Sequence, residues 1–436
     1  MELEAIFHTV EMRRRTLILV LLVALTGAGM GNAQTGTADL TTADKVVVAS
    51  RIYSLIQLYF AHWEGVARKD VEAAYRRYVD DLAGASSRRE FDLATMCFVA
   101  QLKNGHTQFF DSAMDGRPLK FRLLEVEKQW VVLGSQDSQL PRGAVVRSLN
   151  GIPVEEFVRE QARYVAASND RMARTHVFST PGLFPEKISL TLADGKLVVI
   201  DRSIPSDARP RVLQAAEGRW LAEDRTAYIR IPSFGDGIYE KTAIELVRKF
   251  ASAPNLVVDV RGNGGGTTPV QLIGALMNRV WHTWQGTTPQ HVALQEASGL
   301  PLGPAERPSR EQPAADDAYT GRVFVLVDRF CVSACEDFVM PFKETGRGTL
   351  IGETTQGSSG NPYRADLGTG MRIARPDSVN GMGIGIGAVR YRFRDGAPFE
   401  GIGIAPDVPV ERHIADLVQG RDAVLERAQE LANIAP

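Results

Sequence analysis

The chain has 436 residues, 44% of them hydrophobic and 23% charged, with 50 Lys and Arg set against 52 Asp and Glu. That length points to two or three domains rather than a single core, and a formal charge of -2 with no basic run in the mature region excludes a general nucleic-acid surface, which needs a concentrated basic field. Three cysteines cannot all pair within one chain, and with no histidine or second cysteine pair at ligand spacing they predict no metal site; the expectation is buried free thiols, with a Cys331–Cys335 disulfide chemically open in an oxidising compartment.

At the N-terminus, Arg13-Arg14-Arg15 precedes the apolar run from Thr16 to Leu25, and small residues follow to Ala33. This is the pattern of a cleavable signal peptide over 1–33, which predicts a periplasmic or secreted protein. The run is shorter than the roughly 20 residues a membrane span needs, and no later stretch could cross a bilayer. Met12 is an alternative start, since residues 1–11 add nothing to the pattern.

Residues 40–112 read as a helical domain. Val46, Val47, Ile52, Ile56, Leu58 and Tyr59 recur at helical spacing, as do Val71, Ala74, Tyr75 and Tyr78, and a third run extends from Phe91 to Leu102. Asn104-Gly105 is a stop and turn signal, so His106 falls just past a helix end. Residues 117–204 change to short β runs. Within them, the segment from Arg142 to Val154 spells a strand, an Asn-Gly turn and a helix beginning near Glu155. It resembles the central element of PDZ-type modules, which receive an extended peptide as an added strand. From 215 to 415 strands and helices alternate, which predicts an α/β core with both sheet faces covered. Its expected elements are strands at Thr226–Ile231, Leu256–Val260 and Val323–Val327, and helices at Tyr239–Ala251, Thr268–Val280 and from Ala334. Residues 284–320, rich in Pro, Gln, Ala and Gly, read as a surface excursion, and 416–436 as a C-terminal helix.

Two segments carry chemistry. Asp259-Val260-Arg261-Gly262-Asn263-Gly264-Gly265-Gly266 follows a buried strand and opens a helix. Its glycines point bare N–H groups outward, as a phosphate cradle or half of an oxyanion hole would; the Walker lysine and the G-x-G-x-x-G spacing are both absent, and no cofactor is predicted. Ser333 lies between a buried strand and a helix. A serine there is often only an N-cap, with Glu336 as its capping-box partner, but the position also suits a nucleophile facing the Ala334 N–H.

Taken together, the chain resembles the S41 peptidases, the family of carboxyl-terminal processing proteases, tricorn core protease and interphotoreceptor retinoid-binding protein modules. The matching residues are Asp259-Val260-Arg261-x-Asn263-x-Gly265-Gly266, Ser333-Ala334-Cys335-Glu336, Gly352-Glu353-Thr354-Thr355-Gln356-Gly357 and Glu400-Gly401-Ile402-Gly403-Ile404-Ala405-Pro406-Asp407, in the family's order. The resemblance implies a ClpP/crotonase-like α/β core and a serine peptidase. It departs at one place: the lysine base of the processing proteases is Ser358 here, and a hydroxyl is a poor proton acceptor near neutral pH. The tricorn-like and retinoid-binding branch instead implies a histidine base from before the core. Lys103-Asn104-Gly105-His106-Thr107 resembles its D-G-H-T element, with Gly105 in place of tricorn's serine. By the same resemblance Glu400 completes the charge network, and the oxyanion donors are Ala334 with Gly265 or Gly266. The other histidines match no motif and are expected to be incidental. The expected partner is a peptide or protein substrate; a non-catalytic binder of apolar ligands or peptides is the alternative, and oligomeric state has no signature.

Overall fold

The computed structural model describes residues 40–114, 116–204, 215–222, 224–289, 297, 299, 305–367 and 381–433. The expected signal segment 1–33 lies outside them. No helix among the described residues is long and apolar enough to cross a membrane.

Three helices come first: α1 (Thr42–Tyr59), α2 (Arg68–Gly84) and α3 (Arg88–Ala100). A capping box starts α1, with Thr41 Oγ1 accepting from the Asp44 N–H at 3.2 Å and Asp44 Oδ2 accepting from the Thr41 N–H at 3.0 Å. Their apolar faces meet through Ile52, Ile56, Tyr78, Phe91 and Phe98, all buried. After α3 the chain turns at Lys103, which has φ 49°, and enters strand β1 (Gln108–Asp111). His106 stands on that turn, as the Asn-Gly signal predicts.

Next come β2 (Phe121–Val126), β3 (Gln129–Ser135) and β4 (Val145–Leu149), then α4 (Val154–Gln161) and α5 (Asp170–Val177), then β5 (Lys187–Leu192) and β6 (Leu197–Asp201). The strands form one antiparallel sheet in the order β2-β3-β4-β5-β6 around their own apolar core. The Asn150-Gly151 turn has φ 51° and 80°, both positive as a tight hairpin requires.

The remaining chain builds a parallel sheet from β7 (Glu217–Ala222), β8 (Thr226–Arg230), β9 (Asn255–Asp259), β10 (Arg322–Val327) and β11 (Gly348–Gly352). Then follow β12 (Tyr363–Asp366), β13 (Met382–Ile386) and β14 (Val408–Pro409), with helices α6 (Gly237–Lys249), α7 (Val270–Leu276), α8 (Ala334–Thr345), α9 (Ile414–Gln419) and α10 (Ala423–Asn433). The sheet order is β14-β11-β10-β9-β8-β7, parallel except for β7. Alternation decides its two faces: Leu256, Val258, Val323, Val325 and Val327 join one core with residues of α6, α7 and α8. Val257, Phe324 and Leu326 join the other with Ala428 and Ala432 of α10. Each such Val, Leu or Phe side chain contributes about 1.5–3 kcal/mol by leaving water. Strands β12 and β13 leave this sheet and pair instead with β1, in the antiparallel order β1-β13-β12. That small sheet joins the helical region to the core beside the candidate site.

Three expectations are corrected. The helix after the glycine loop is α7, shorter than Thr268–Val280, because the buried Met277 takes an extended conformation (φ -103°, ψ 97°) and leads into the buried Trp281. Residues 284–320 are not a plain surface excursion where described: Trp284, Thr287 and Tyr319 are buried, and the Trp284 ring lies 4.6 Å from that of Phe399. The C-terminal segment is two helices, broken at Gly420 (φ 70°).

Candidate active site

The loop after β10 carries Ser333 to the start of α8. Ser333 has φ 59° and ψ -126°, a conformation that non-glycine residues adopt only when their surroundings impose it, and such strain gathers at functional sites. Glu336 imposes it in part. Its fully buried carboxylate accepts from the Ser333 N–H (3.2 Å), Thr355 Oγ1 (2.6 Å), the Gly357 N–H (2.7 Å) and the Ser358 N–H (3.0 Å). Glu336 is therefore more than a capping-box partner, because it ties the serine turn to the Gly352–Gly357 loop. Burial pushes its carboxyl up to about 8 against those donors.

The expectation of free buried thiols fails for two of the three cysteines: Cys331 and Cys335 form a disulfide, while Cys97 is free. Cys331 lies on the turn before α8, and its Cα is 5.4 Å from that of Cys335, within the ordinary range for a disulfide.

The glycine loop follows β9. Asp259 is held by Tyr228 Oη (2.7 Å) and by Arg261, which also grips Asp422 at 2.7 Å. Beyond it, Asn263 Oδ1 accepts from the Gly265 N–H at 2.9 Å, and the Val332 N–H donates to the Asn263 carbonyl at 3.3 Å. The loop thus lies directly against the serine turn: a Cβ on Gly265 would stand 2.8 Å from Ser333 Cβ and 3.0 Å from the Ala334 nitrogen. Gly266 has φ 137°, and a Cβ there would stand 2.1 Å from the Phe234 carbonyl oxygen. The Gly265 N–H is engaged by Asn263, whereas among the described residues no hydrogen bond engages the N–H of Gly266 or that of Ala334, the first residue of α8.

On the opposite side, His106 is fixed by its turn. Asn104, fully buried, accepts from Thr107 Oγ1 (2.8 Å) and donates to Glu400 Oε1 (2.7 Å). His106 Nδ1 lies 2.9 Å from Ser358 Oγ, and Ser358 Oγ lies 3.5 Å from Glu400 Oε1. Ser168, just before α5, accepts from the Gly105 N–H (2.9 Å) and donates to Glu400 Oε1 (2.5 Å). Burial pushes His106 down to about 4, aided by the Arg364 guanidinium, and pushes Glu400 up to about 7.

His106, Ser333, Gly265 and Gly266 line one cleft of about 370 Å³, shared with Met172, Arg364 and others. Ala334 adjoins it, and Glu400 stands behind His106, reached through Ser358. No hydrogen bond joins Ser333 Oγ to the imidazole in this structure, a looseness common in sites without substrate. The sequence missed Ser358 and Ser168 as members of this network. Ser358 was visible as the residue in the lysine's place; Ser168 had no signal, because it arrives from the antiparallel module. His176 is not incidental either: it lines the cleft, its Nε2 lies 2.8 Å from Gln356 Nε2, and burial holds it down near 4.

Residues 225–410 match the model of peptidase family S41. The C-terminal processing peptidase, chloroplastic, of Tetradesmus obliquus is 26% identical over 210 residues, covering 47% of this chain and 39% of that protein. The tricorn protease of Thermoplasma acidophilum is 27% identical over 205 residues, covering 46% of this chain and 16% of that protein. The chain therefore spans well under two thirds of the length of either relative. The solved structure of mature CPAF complexed with lactacystin superposes with a TM-score of 0.69 at 13% identity, covering 89% of this chain and 98% of that one, and shows a shared mixed α/β fold.

Proposed function

We propose that this chain is an exported serine peptidase that hydrolyses peptide bonds through an acyl-enzyme on Ser333, with His106 as general base. The observation that carries the reading is the common cleft: Ser333, His106 and the glycine-loop amides converge on it from separate regions of the fold. The distances fit a relay in which Nδ1–H of His106 donates to Ser358 Oγ and the Ser358 hydroxyl donates to Glu400 Oε1. Nε2 then keeps its lone pair for the Ser333 proton. Ser358 cannot be the base, but here it links the base to its carboxylate.

In the proposed reaction His106 removes the proton of Ser333 as Oγ attacks the peptide carbonyl. The Ala334 and Gly266 N–H groups stabilise the oxyanion, with Gly265 holding the loop in place through Asn263. His106 then protonates the leaving amine, and water activated by the same imidazole releases the acyl group. The domain organisation supports a peptide substrate: the sheet of residues 117–204, read as a PDZ-like module, abuts the site through α5. From there Asn169 Nδ2 donates to the carbonyls of Gln356 and Gly401, both at 3.0 Å. Export rests on the N-terminal pattern alone.

The test is active-site labelling. A fluorophosphonate should modify Ser333, located by peptide mass mapping, and peptide hydrolysis should disappear in step with labelling. A folded protein that leaves Ser333 unlabelled would instead favour a binding module.

A further inference from the structure

Three strands place three cleft residues in a row. In the β1-β13-β12 sheet, Gln108 of β1 and Arg364 of β12 both stand opposite Gly385 of β13. All three line the cleft that holds Ser333 and His106. With no side chain in the middle, the row is a notch with a glycine floor, and a Cβ placed on that glycine would stand 3.3 Å from the carbonyl oxygen of His106. The notch therefore opens immediately beside the proposed base. Its Gln108 wall is fixed, since Nε2 donates to the Gly105 carbonyl at 2.5 Å.

The Arg364 wall differs. Its side chain is exposed, and among the described residues it has no ion-pair or hydrogen-bond partner. Three other arginines near buried or functional turns have acidic partners: Arg261 with Asp259 and Asp422, Arg329 with Glu353, and Arg174 with Glu125 and Glu155. Among the described residues, no aspartate or glutamate lines the cleft, and Arg364 is the one that carries a formal charge there. A guanidinium presents a planar fork of donors matched to a carboxylate, and a cleft of one sign concentrates ligands of the other.

We propose that Arg364 is a specificity-determining residue: it receives a carboxylate of the peptide substrate in the Gln108–Gly385–Arg364 notch, close to the scissile bond. The proposal rests on the peptidase reading of the same cleft and adds the substrate class, namely peptides with an anionic group near the cleaved bond. That group is either an Asp or Glu side chain or the α-carboxylate of a nearby C-terminus, and both offer the same two oxygens.

The experiment uses matched peptides on the full chain. One set exchanges Glu for Gln at each position flanking the cleaved bond; the other exchanges a free C-terminus for an amide. A charge-assisted pair predicts a roughly 10- to 100-fold advantage in kcat/KM for the carboxylate member of one set. The set showing it identifies the source. In Arg364→Ala the ratio should fall to near one, and in Arg364→Lys an intermediate ratio should survive, because the charge remains without the fork. The same ratios are read as Kd by fluorescence anisotropy in Ser333→Ala and in Ser333→Ala/Arg364→Ala, which needs no turnover. Ratios near one throughout the wild type, or an advantage that persists in Arg364→Ala, would overturn the proposal. If no peptide is cleaved but Ser333→Ala keeps an Arg364-dependent preference in Kd, the peptidase reading fails and the carboxylate site stands.

Discussion

The proposed nucleophile and the proposed base stand on parts of the molecule built on different terms. Ser333 belongs to the parallel-sheet core, where β9 and β10 are buried on both faces and the serine turn is clamped by Glu336, Asn263 and the glycine loop. His106 belongs to a short turn between α3 and β1, held mainly by side chains: Asn104 and Ser168 on Glu400, and Ser358 on the ring. The first is fixed by backbone and burial, the second by a polar network gathered from three regions. A site assembled in this way should be more sensitive to side-chain substitution on the histidine side than on the serine side, because each member removed from a polar network weakens the rest.

The largest effects fall on the reacting groups themselves. Ser333→Ala and His106→Ala should each lower kcat by on the order of 10⁴-fold or more with an unchanged circular dichroism spectrum. Near-normal turnover in His106→Ala would remove the base from the account. Next is the relay. Glu400→Gln should lower kcat about 10³-fold and Ser358→Ala about 10²-fold, through orientation of the ring rather than loss of a reacting group.

The pH profile separates orientation from mere structural damage. Below about 4 the imidazole is charged and cannot accept a proton; between about 4 and about 7 it is a free base, but Glu400 is protonated; above about 7 both are in the competent form. The wild-type rate should therefore climb through both values, and Glu400→Gln should keep only the inflection near 4. An identical profile in that variant would assign Glu400 a purely structural role.

On the serine side the expected losses are of stability. Gly266→Ala should cost about 2–4 kcal/mol, since its Cβ would meet the Phe234 carbonyl at 2.1 Å with φ at 137°. Gly264→Ala, two residues earlier, meets nothing within 4 Å and should shift stability by less than about 0.5 kcal/mol. Thermal or urea unfolding of the pair measures the contrast. Asn104→Ala should have the smallest catalytic effect, about tenfold in kcat/KM, because Ser168 still holds Glu400.

What the sequence revealed follows the same division. Buried strands at Leu256–Val260 and Val323–Val327 are near-continuous apolar runs, so the core elements were legible from residues alone, whereas the glycine loop and Ser333 each left two readings open and drew their roles from the family resemblance. The turn at His106 was legible from Asn104-Gly105. The polar partners were not. Ser168 and Ser358 lie 190 residues apart in sequence and meet at Glu400 only because α5 docks against the 354–357 loop, where Arg171 donates to the Thr355 carbonyl at 2.5 Å. Hydrophobic periodicity reports which face is buried, and it carries no information about which hydroxyl reaches which carboxylate. The cysteine pairing escaped for a related reason: spacing of four suggests a helix, but Cys331 precedes the helix.

The account turns on whether His106 activates Ser333, and the rate of fluorophosphonate labelling in the wild type and in His106→Ala at neutral pH measures that step without any choice of peptide. It predicts rapid modification of Ser333 in the wild type and a loss of at least about 10³-fold in the variant. Labelling of His106→Ala at close to the wild-type rate, with the fold intact, would contradict it.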